Sequence, residues 1–278
     1  MLDGVRLSAS QDGDRAMIVG VNVGATSDPV GDAQRAERLG FDFVSASDHP
    51  SGTASSFEVW TMLAWIAAST STIRVATRVL GVPYRSPAMV AKMAETFDRL
   101  SGGRLILGLG GGYSDEEFRA FGLGVPTARE KVDGLREAIQ VIRGLWSEPA
   151  LTFEGRIHRT EAAPMEPKPA HRIPIWLGTY GPRALRVTGE LADGWIPSLG
   201  YAPPDELQRM RAVVTGINPA VTCALNVHRA GLVDGPPEAV AEQLLGFAGF
   251  TAYNLMLNDP EDVEWFGNSV LPLLRQAG

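Results

Sequence analysis

The chain has 278 residues, 45% of them hydrophobic, and 25 Lys plus Arg against 32 Asp plus Glu give a formal charge of −7. That composition can bury one large core, and the length suits a single barrel of roughly 250 residues. The acidic balance excludes the basic face that nucleic-acid phosphates require and a polybasic membrane anchor, and no apolar run is long enough to span a bilayer.

In chain order, residues 1–17 read as a polar N-terminal extension without the apolar stretch of a signal peptide. Residues 18–278 then alternate short apolar runs with helical patterns. Strands are expected at Ile18–Val23, Phe41–Ala46, Ile73–Leu80, Arg104–Leu109, Ile173–Leu177, Trp195–Pro197, Cys223–Ala230 and Tyr253–Leu257. They are rich in Val, Ile and Leu, as parallel strands buried on both faces should be. Ser86-Pro87 opens a helix with Val90, Met93, Ala94 and Phe97 on one face, which Ser101-Gly102-Gly103 stops. Ser114 and Glu117 are spaced as a capping box for a short helix before Gly122, and the acidic residues there read as a solvated helix start. Thr127 and Glu130 have the same spacing ahead of a stripe of Val132, Leu135, Ile139, Ile142 and Trp146. Residues 147–172 form one long connection, with Leu151–Phe153 and Arg156–His158 flanking Gly155 as a hairpin. It leaves a helix and enters a strand, which gives it a structural role away from the chemistry. Asp259-Pro260 opens the last helix, which Pro272 should kink or end. Eight strands, each followed by a helical segment, predict a single-domain (β/α)₈ barrel of the α/β class.

In such a barrel the site lies at the C-terminal ends of the strands. That rule selects Asn22, Asp48-His49, Thr77 to Leu80, Gly110 to Tyr113, Gly178 to Gly181 and Ser198. Two glycine-rich loops fall among them: Gly108-Leu109-Gly110-Gly111-Gly112, and Gly178-Thr179-Tyr180-Gly181 before Pro182. Glycine admits close approach of a ligand to the backbone, and amides at a helix start bind anions; two such loops at strand ends point to a phosphate. Neither is a dinucleotide fingerprint, since the third glycine of GxGxxG falls at Tyr113, and neither ends as a P-loop does. His49 is the candidate proton shuttle, with Asp48 to orient it. His158, His171 and His228 lack metal-ligand spacing and read as structural or solvated. The lone cysteine, Cys223, sits among Val221, Leu225 and Val227 and reads as strand core rather than a nucleophile; a single thiol fits a reducing cytoplasm.

The segments "RAERLGFDFVSASDH", "YRSPAMVAKMAETFDRLSGGRLILGLGGGYSDEEFRAFG" and "IPIWLGTYGPRALRVTGELADGWIPS" resemble the luciferase-like superfamily over most of residues 18–260. The resemblance implies an oxidoreductase that moves a hydride between the deazaflavin F420 and a small organic substrate, working as a homodimer. FMN is the alternative cofactor, in a luciferase-like monooxygenase; a cofactor-binding protein without turnover is the alternative of another class. Asp48-His49 resembles the Asp-His step of F420-dependent members, where the histidine lies beside deazaflavin and substrate, and Asp48 would orient His49 or contact the cofactor ring. Thr77-Arg78 matches the bulge after the third strand that often holds a non-proline cis peptide beneath the ring. The loops at Gly110, Gly111 and Gly112 and at Gly178, Thr179, Tyr180 and Gly181 match those that hold phosphate and ribityl chain, with Asn22 and Ser198 completing the cofactor set. Some F420-dependent dehydrogenases carry a catalytic glutamate where this chain has Tyr113; this is a departure from the family pattern, and at this candidate catalytic position a phenol can still donate a hydrogen bond. The short loop at Gly231–Asp234 implies an open substrate pocket.

Overall fold

The computed structural model describes residues 17–24, 28–53, 55–257 and 259–277. The extension at 1–16 lies outside the described residues. Eight parallel strands close into a barrel: β1 (Ile18–Asn22), β2 (Phe43–Ala46), β3 (Arg74–Thr77), β5 (Leu105–Gly110), β8 (Ile175–Leu177), β9 (Gly194–Trp195), β10 (Thr222–His228) and β11 (Ala252–Met256). β11 pairs with β1, and β3 with β5, so no edge remains open. A two-residue strand, β4 (Leu80–Gly81), continues the line of β3 against β5. The antiparallel hairpin of β6 (Ala150–Glu154) and β7 (Arg159–Pro164) stands apart from the barrel sheet.

Helices α1 (Pro29–Leu39), α2 (Val59–Ala68), α3 (Pro87–Ser101), α5 (Ala128–Ser147), α6 (Pro182–Leu191), α7 (Pro204–Ile217), α8 (Pro237–Leu245), α9 (Pro260–Trp265) and α10 (Leu271–Gln276) surround the barrel, with the short α4 (Asp115–Ala120) in the loop after β5. Most begin with proline in the first turn, where its missing N–H costs nothing and its fixed φ fits the helix. Both halves of the Thr127–Glu130 capping box form, whereas Ser86 takes the cap position of α3 without a side-chain bond. The chain's stripes of Val, Leu and Ile on these helices meet the outward faces of the strands in one continuous core.

Inside the barrel lies a second, smaller core of Phe43, Ala76, Ile106, Trp176, Ile196, Ala224 and Ala252. Phe43 and Trp176 meet edge to face, with ring centroids 5.9 Å apart. Their bulk fits because the neighbouring strands carry no side chain there: a Cβ on Gly20 would lie 2.4 Å from the Phe43 ring, and one on Gly194 2.5 Å from Trp176. The plug closes the lower barrel and leaves the upper end to form a site.

The structure corrects two expectations. Ile73–Leu80 is not one strand: Ala76 pairs with Ile106 and Leu80 with Leu109, so four steps on one chain face three on the other. The surplus residue makes a bulge that turns residues 78 and 79 inward. The second arm of the hairpin is Arg159–Pro164 rather than Arg156–His158, because Glu137 on α5 accepts the amides of Arg156, Ile157 and His158 and holds them as a turn. The last helix is interrupted at Pro272 as expected: Phe266–Val270 form a π turn, and Pro272 sits in the first turn of α10.

Candidate active site

The C-terminal ends of the strands open into a cleft of about 590 Å³, within the size usual for a small-molecule or cofactor site. Its floor rests on a buried polar chain. Ser45 Oγ donates to Asn254 Oδ1 at 2.7 Å, Asn254 Nδ2 to Asn226 Oδ1 at 2.9 Å, and Asn226 Nδ2 to Ser198 Oγ at 3.1 Å. Each link uses the donor or acceptor its neighbour offers, which fixes the amide orientations and sets a rigid polar layer above the apolar plug. Ser198 N–H donates to the Tyr180 hydroxyl at 2.7 Å, joining that chain to the wall.

The bulge supplies the next layer. The Arg78–Val79 peptide bond is cis, one bond beyond the expected Thr77-Arg78 position. Val79 lies against two strand-end glycines: a Cβ on Gly110 would come within 2.7 Å of Val79 Cγ2, and one on Gly178 within 3.3 Å. The three residues line the cleft together as a shelf, with the valine side chain filling the space that side chains on the two glycines would take. Gly112, at φ 91°, turns the loop back over the Phe118 ring, which a Cβ would meet at 2.4 Å. Gly111, Gly112 and Gly181 line the cleft with Lys131, whose ammonium is 2.7 Å from Asp115 and 5.4 Å from the centre of the Phe118 ring. Gly181 caps α6 without a side-chain bond, so the first amides of that helix lack an internal acceptor. Cradle, cation and helix start fit a phosphate, and the shelf fits a planar ring.

His49 stands at the rim, half exposed, with Nδ1 2.9 Å from Glu117 Oε1. An ionised carboxylate only accepts, so Nδ1 carries the hydrogen and Nε2 is the free nitrogen. Glu117 also accepts from the Tyr84 hydroxyl through its other oxygen. Burial, followed by the bond to Glu117, pushes the Tyr84 phenol up, so it stays protonated and remains a donor. The acidic helix start of α4 therefore does more than solvate: Ser114 caps the Glu117 amide, as the spacing implied, while the Glu117 side chain turns inward to histidine.

Other expected site residues are placed differently. Asp48 does not orient His49. Its carboxylate is buried, takes two bonds from Arg85 at 2.7 and 3.1 Å, and accepts the Gly81 amide at 3.0 Å. Arg85 in turn reaches Glu58 at 2.6 Å. The Thr77 hydroxyl is spent on β5, exchanging 2.8 Å bonds with the carbonyl and amide of Gly108. The Thr179 hydroxyl pairs with Thr188 on α6 at 2.7 Å, and its carbonyl accepts from the Trp195 indole at 2.9 Å. Asn22 lies beneath the cleft, its Oδ1 3.4 Å from the Arg78 guanidinium. Tyr113 is 75% exposed and packs edge-on against Tyr201, which meets Tyr180, so it forms part of an aromatic rim and no carboxylate engages it here. His228 is exposed, as a solvated histidine should be, and lines the cleft. Cys223 is buried, and burial pushes its thiol up to about 11, which suits an inert core residue. Among the described residues no cluster of His, Cys, Asp and Glu could hold a metal ion.

The model of the luciferase-like monooxygenase family matches residues 19–218. The chain belongs to that family. Among curated relatives, the luciferase-like chain is 38% identical over 175 residues to the F420-dependent glucose-6-phosphate dehydrogenase of Kineococcus radiotolerans, an alignment covering 60% of this chain and 51% of that one. It is 38% identical over 175 residues to the F420-dependent hydroxymycolic acid dehydrogenase of Mycobacterium tuberculosis, covering 60% and 48%. The chain thus spans about half the length of the curated relatives it matches. In structure it resembles an F420-dependent secondary alcohol dehydrogenase solved with an F420-acetone adduct, at TM-score 0.81 and 20% identity, over 94% of this chain and 100% of that one. That last likeness carries the barrel fold. No helix among the described residues is long and apolar enough to cross a membrane.

Proposed function

We propose that this luciferase-like protein is an F420-dependent oxidoreductase that moves a hydride between the deazaflavin and an alcohol or carbonyl carbon of an organic substrate. The observation that carries the reading is the His49–Glu117 pair standing at the rim of a glycine-lined cleft with Val79 packed on Gly110 and Gly178. It is supported by the curated relatives that are F420-dependent dehydrogenases. The shelf of Val79, Gly110 and Gly178 accepts a planar ring, and Lys131 with the Gly111–Gly112 loop and the α6 start accepts a phosphate. When bound, the cofactor supplies the hydride chemistry.

The chain's own residues then have the following tasks. Removing a hydride from an alcohol carbon leaves a carbonyl only if the hydroxyl proton also departs. His49 Nε2 is placed at the rim to take that proton, and to return it in the opposite direction. Glu117 fixes the tautomer and favours the protonated ring as it forms, and Tyr84 holds Glu117 in place. The Ser45–Asn254–Asn226–Ser198 chain keeps the floor rigid. The apolar rim of Tyr113, Tyr180 and Tyr201 covers the ligand against water. Separate absorbance and calorimetric titrations with F420 and FMN test the reading; micromolar binding of FMN with none of F420 would reverse it in favour of a monooxygenase. We further infer a homodimer from the resemblance to the luciferase-like family. Light scattering showing a monomer at micromolar concentration would end that assignment.

A further inference from the structure

Arg78 is a cation without a counter-charge. It lies at the floor of the cleft beside the shelf, and the only hydrogen bond its guanidinium makes among the described residues is the long 3.4 Å contact with Asn22. Its Nε is closed off from solvent and has no partner. Two phenols, Tyr201 and Tyr180, are the neighbours that act on its charge. The contrast with Arg85, a few residues on, is direct: that guanidinium satisfies Asp48 and Glu58 at 2.6 to 3.1 Å. A guanidinium has five donors in a rigid fork, and leaving them unmet in a confined site is costly. The bulge after β3 turns this residue into the mouth of the barrel, whereas a continuous strand would have kept the β-ladder and left no reason for a charge at this depth. Burial also draws Arg78 down to about 10, with the two tyrosines opposing, so it remains charged near neutrality.

We propose that Arg78 is the anion-recognition group of the cleft, and that it takes a planar, delocalised oxyanion of a ligand lying on the Val79 shelf. The guanidinium fork matches two coplanar oxygens. Tyr180 fits the same role, because its oxygen accepts the Ser198 amide and its own O–H stays free to donate into the cleft. Two sources have this chemistry: a carboxylate of the substrate, and the ionised ring of the deazaflavin itself. The second rests on the cofactor reading above; the first does not.

The experiment uses wild type, Arg78→Met and Arg78→Lys, all first compared by melting temperature. Removing an unpaired, confined charge should leave melting unchanged or raise it. Arg78→Lys keeps the charge and loses the fork, and serves as the test protein if Arg78→Met fails to fold. In one arm, cofactor-free protein is titrated with benzoate and with its neutral counterpart benzamide. In the other, the visible absorbance of bound F420 is followed against pH, because a fixed cation favours the ionised ring and lowers its apparent pKa. Benzoate affinity that falls at least 10-fold in Arg78→Met, with benzamide unaffected, assigns the site to a substrate carboxylate. Ring ionisation that begins at lower pH on wild type, and returns toward the free value in Arg78→Met, assigns it to the cofactor. If folded Arg78→Met matches wild type in both arms, the proposal is overturned, and the deazaflavin reading survives as long as F420 still binds. If wild type binds benzoate through Arg78 but does not bind F420, the proposal stands and the deazaflavin reading falls.

Discussion

Glu117 touches no reacting atom in the proposed chemistry, so its effect must pass through His49, and that makes it testable by a double-variant cycle. Glu117→Gln keeps the shape and the oxygen that can accept from Nδ1 but removes the charge. A hydrogen bond to a charged group contributes about 1.5–3 kcal/mol. His49 is 53% exposed at its side chain while Glu117 is 12% exposed, so water screens one end of the pair and about 1–2 kcal/mol is the fitting range. At 1.36 kcal/mol per decade this lowers kcat about 5- to 30-fold. KM should change little, because the bond does not reach the substrate. His49→Ala removes the proton acceptor and should lower the rate by about 10²–10⁴-fold while costing within about 1 kcal/mol of stability. The assay is steady-state turnover, read from cofactor absorbance, with an alcohol or carbonyl compound the wild type accepts. If Glu117 works through His49, the double variant is no slower than His49→Ala alone. A double variant slower by the full product of the two single losses would refute the coupling and make Glu117 an independent contributor.

Other outcomes follow from the same contacts. Asp48→Asn should destabilise the protein by about 2–4 kcal/mol, since it breaks a buried bidentate pair; urea denaturation showing unchanged stability alongside lost turnover would return Asp48 to the chemistry. Glu37 joins α1 to the turn before β3: burial raises its carboxyl, but the amides of Thr72, Ile73 and Ser71 outweigh that and hold it at about 2 against an ordinary 4.5. The folded-state value is depressed, so its stabilisation is present above the unfolded value and lost as pH falls from about 4.5 toward 2; melting temperature against pH should show this limb, and Glu37→Gln should flatten it. Gly110→Ala puts a methyl 2.7 Å from the stiff Val79 side chain, so the shelf must shift; a cost of about 1–3 kcal/mol is expected, with F420 affinity reduced about tenfold, and calorimetry showing wild-type affinity would mean the ring does not lie there.

The barrel was legible because its signal is local and repeated. Buried parallel strands need apolar residues on both faces, and runs such as Leu105–Gly110 supply them without alternation. Capping at Thr127 and the stop at Gly102 are likewise set by residues within one turn. What composition could not locate were interruptions whose cause lies elsewhere in the chain. The bulge at residues 78–79 exists because β5 holds Leu80 and Gly81 in a register one residue short. The hairpin turn is fixed by Glu137, some twenty residues away.

The site divides along the same line. Strand ends and glycine loops follow from the architecture, so residues such as Gly110, Gly178 and His49 could be placed from order alone. Roles depend on partners distant in the chain. Asp48 and His49 are adjacent, which suggests an orienting pair, yet neighbours along an extended chain point to opposite sides. Asp48 turns inward to Arg85, and His49 turns outward to Glu117, 68 positions later. A helix-starting carboxylate normally favours solvent and the helix dipole; Glu117 forgoes that because Ser114 already caps its amide, which frees the side chain for Tyr84 and His49. The one signal available beforehand was an excess: Asp115, Glu116 and Glu117 together exceed what a six-residue helix needs at its start. Surplus charge at a strand end of a barrel points to a partner across the mouth, and the same reasoning applied to Arg78, which has no such partner, is what directs attention to a ligand.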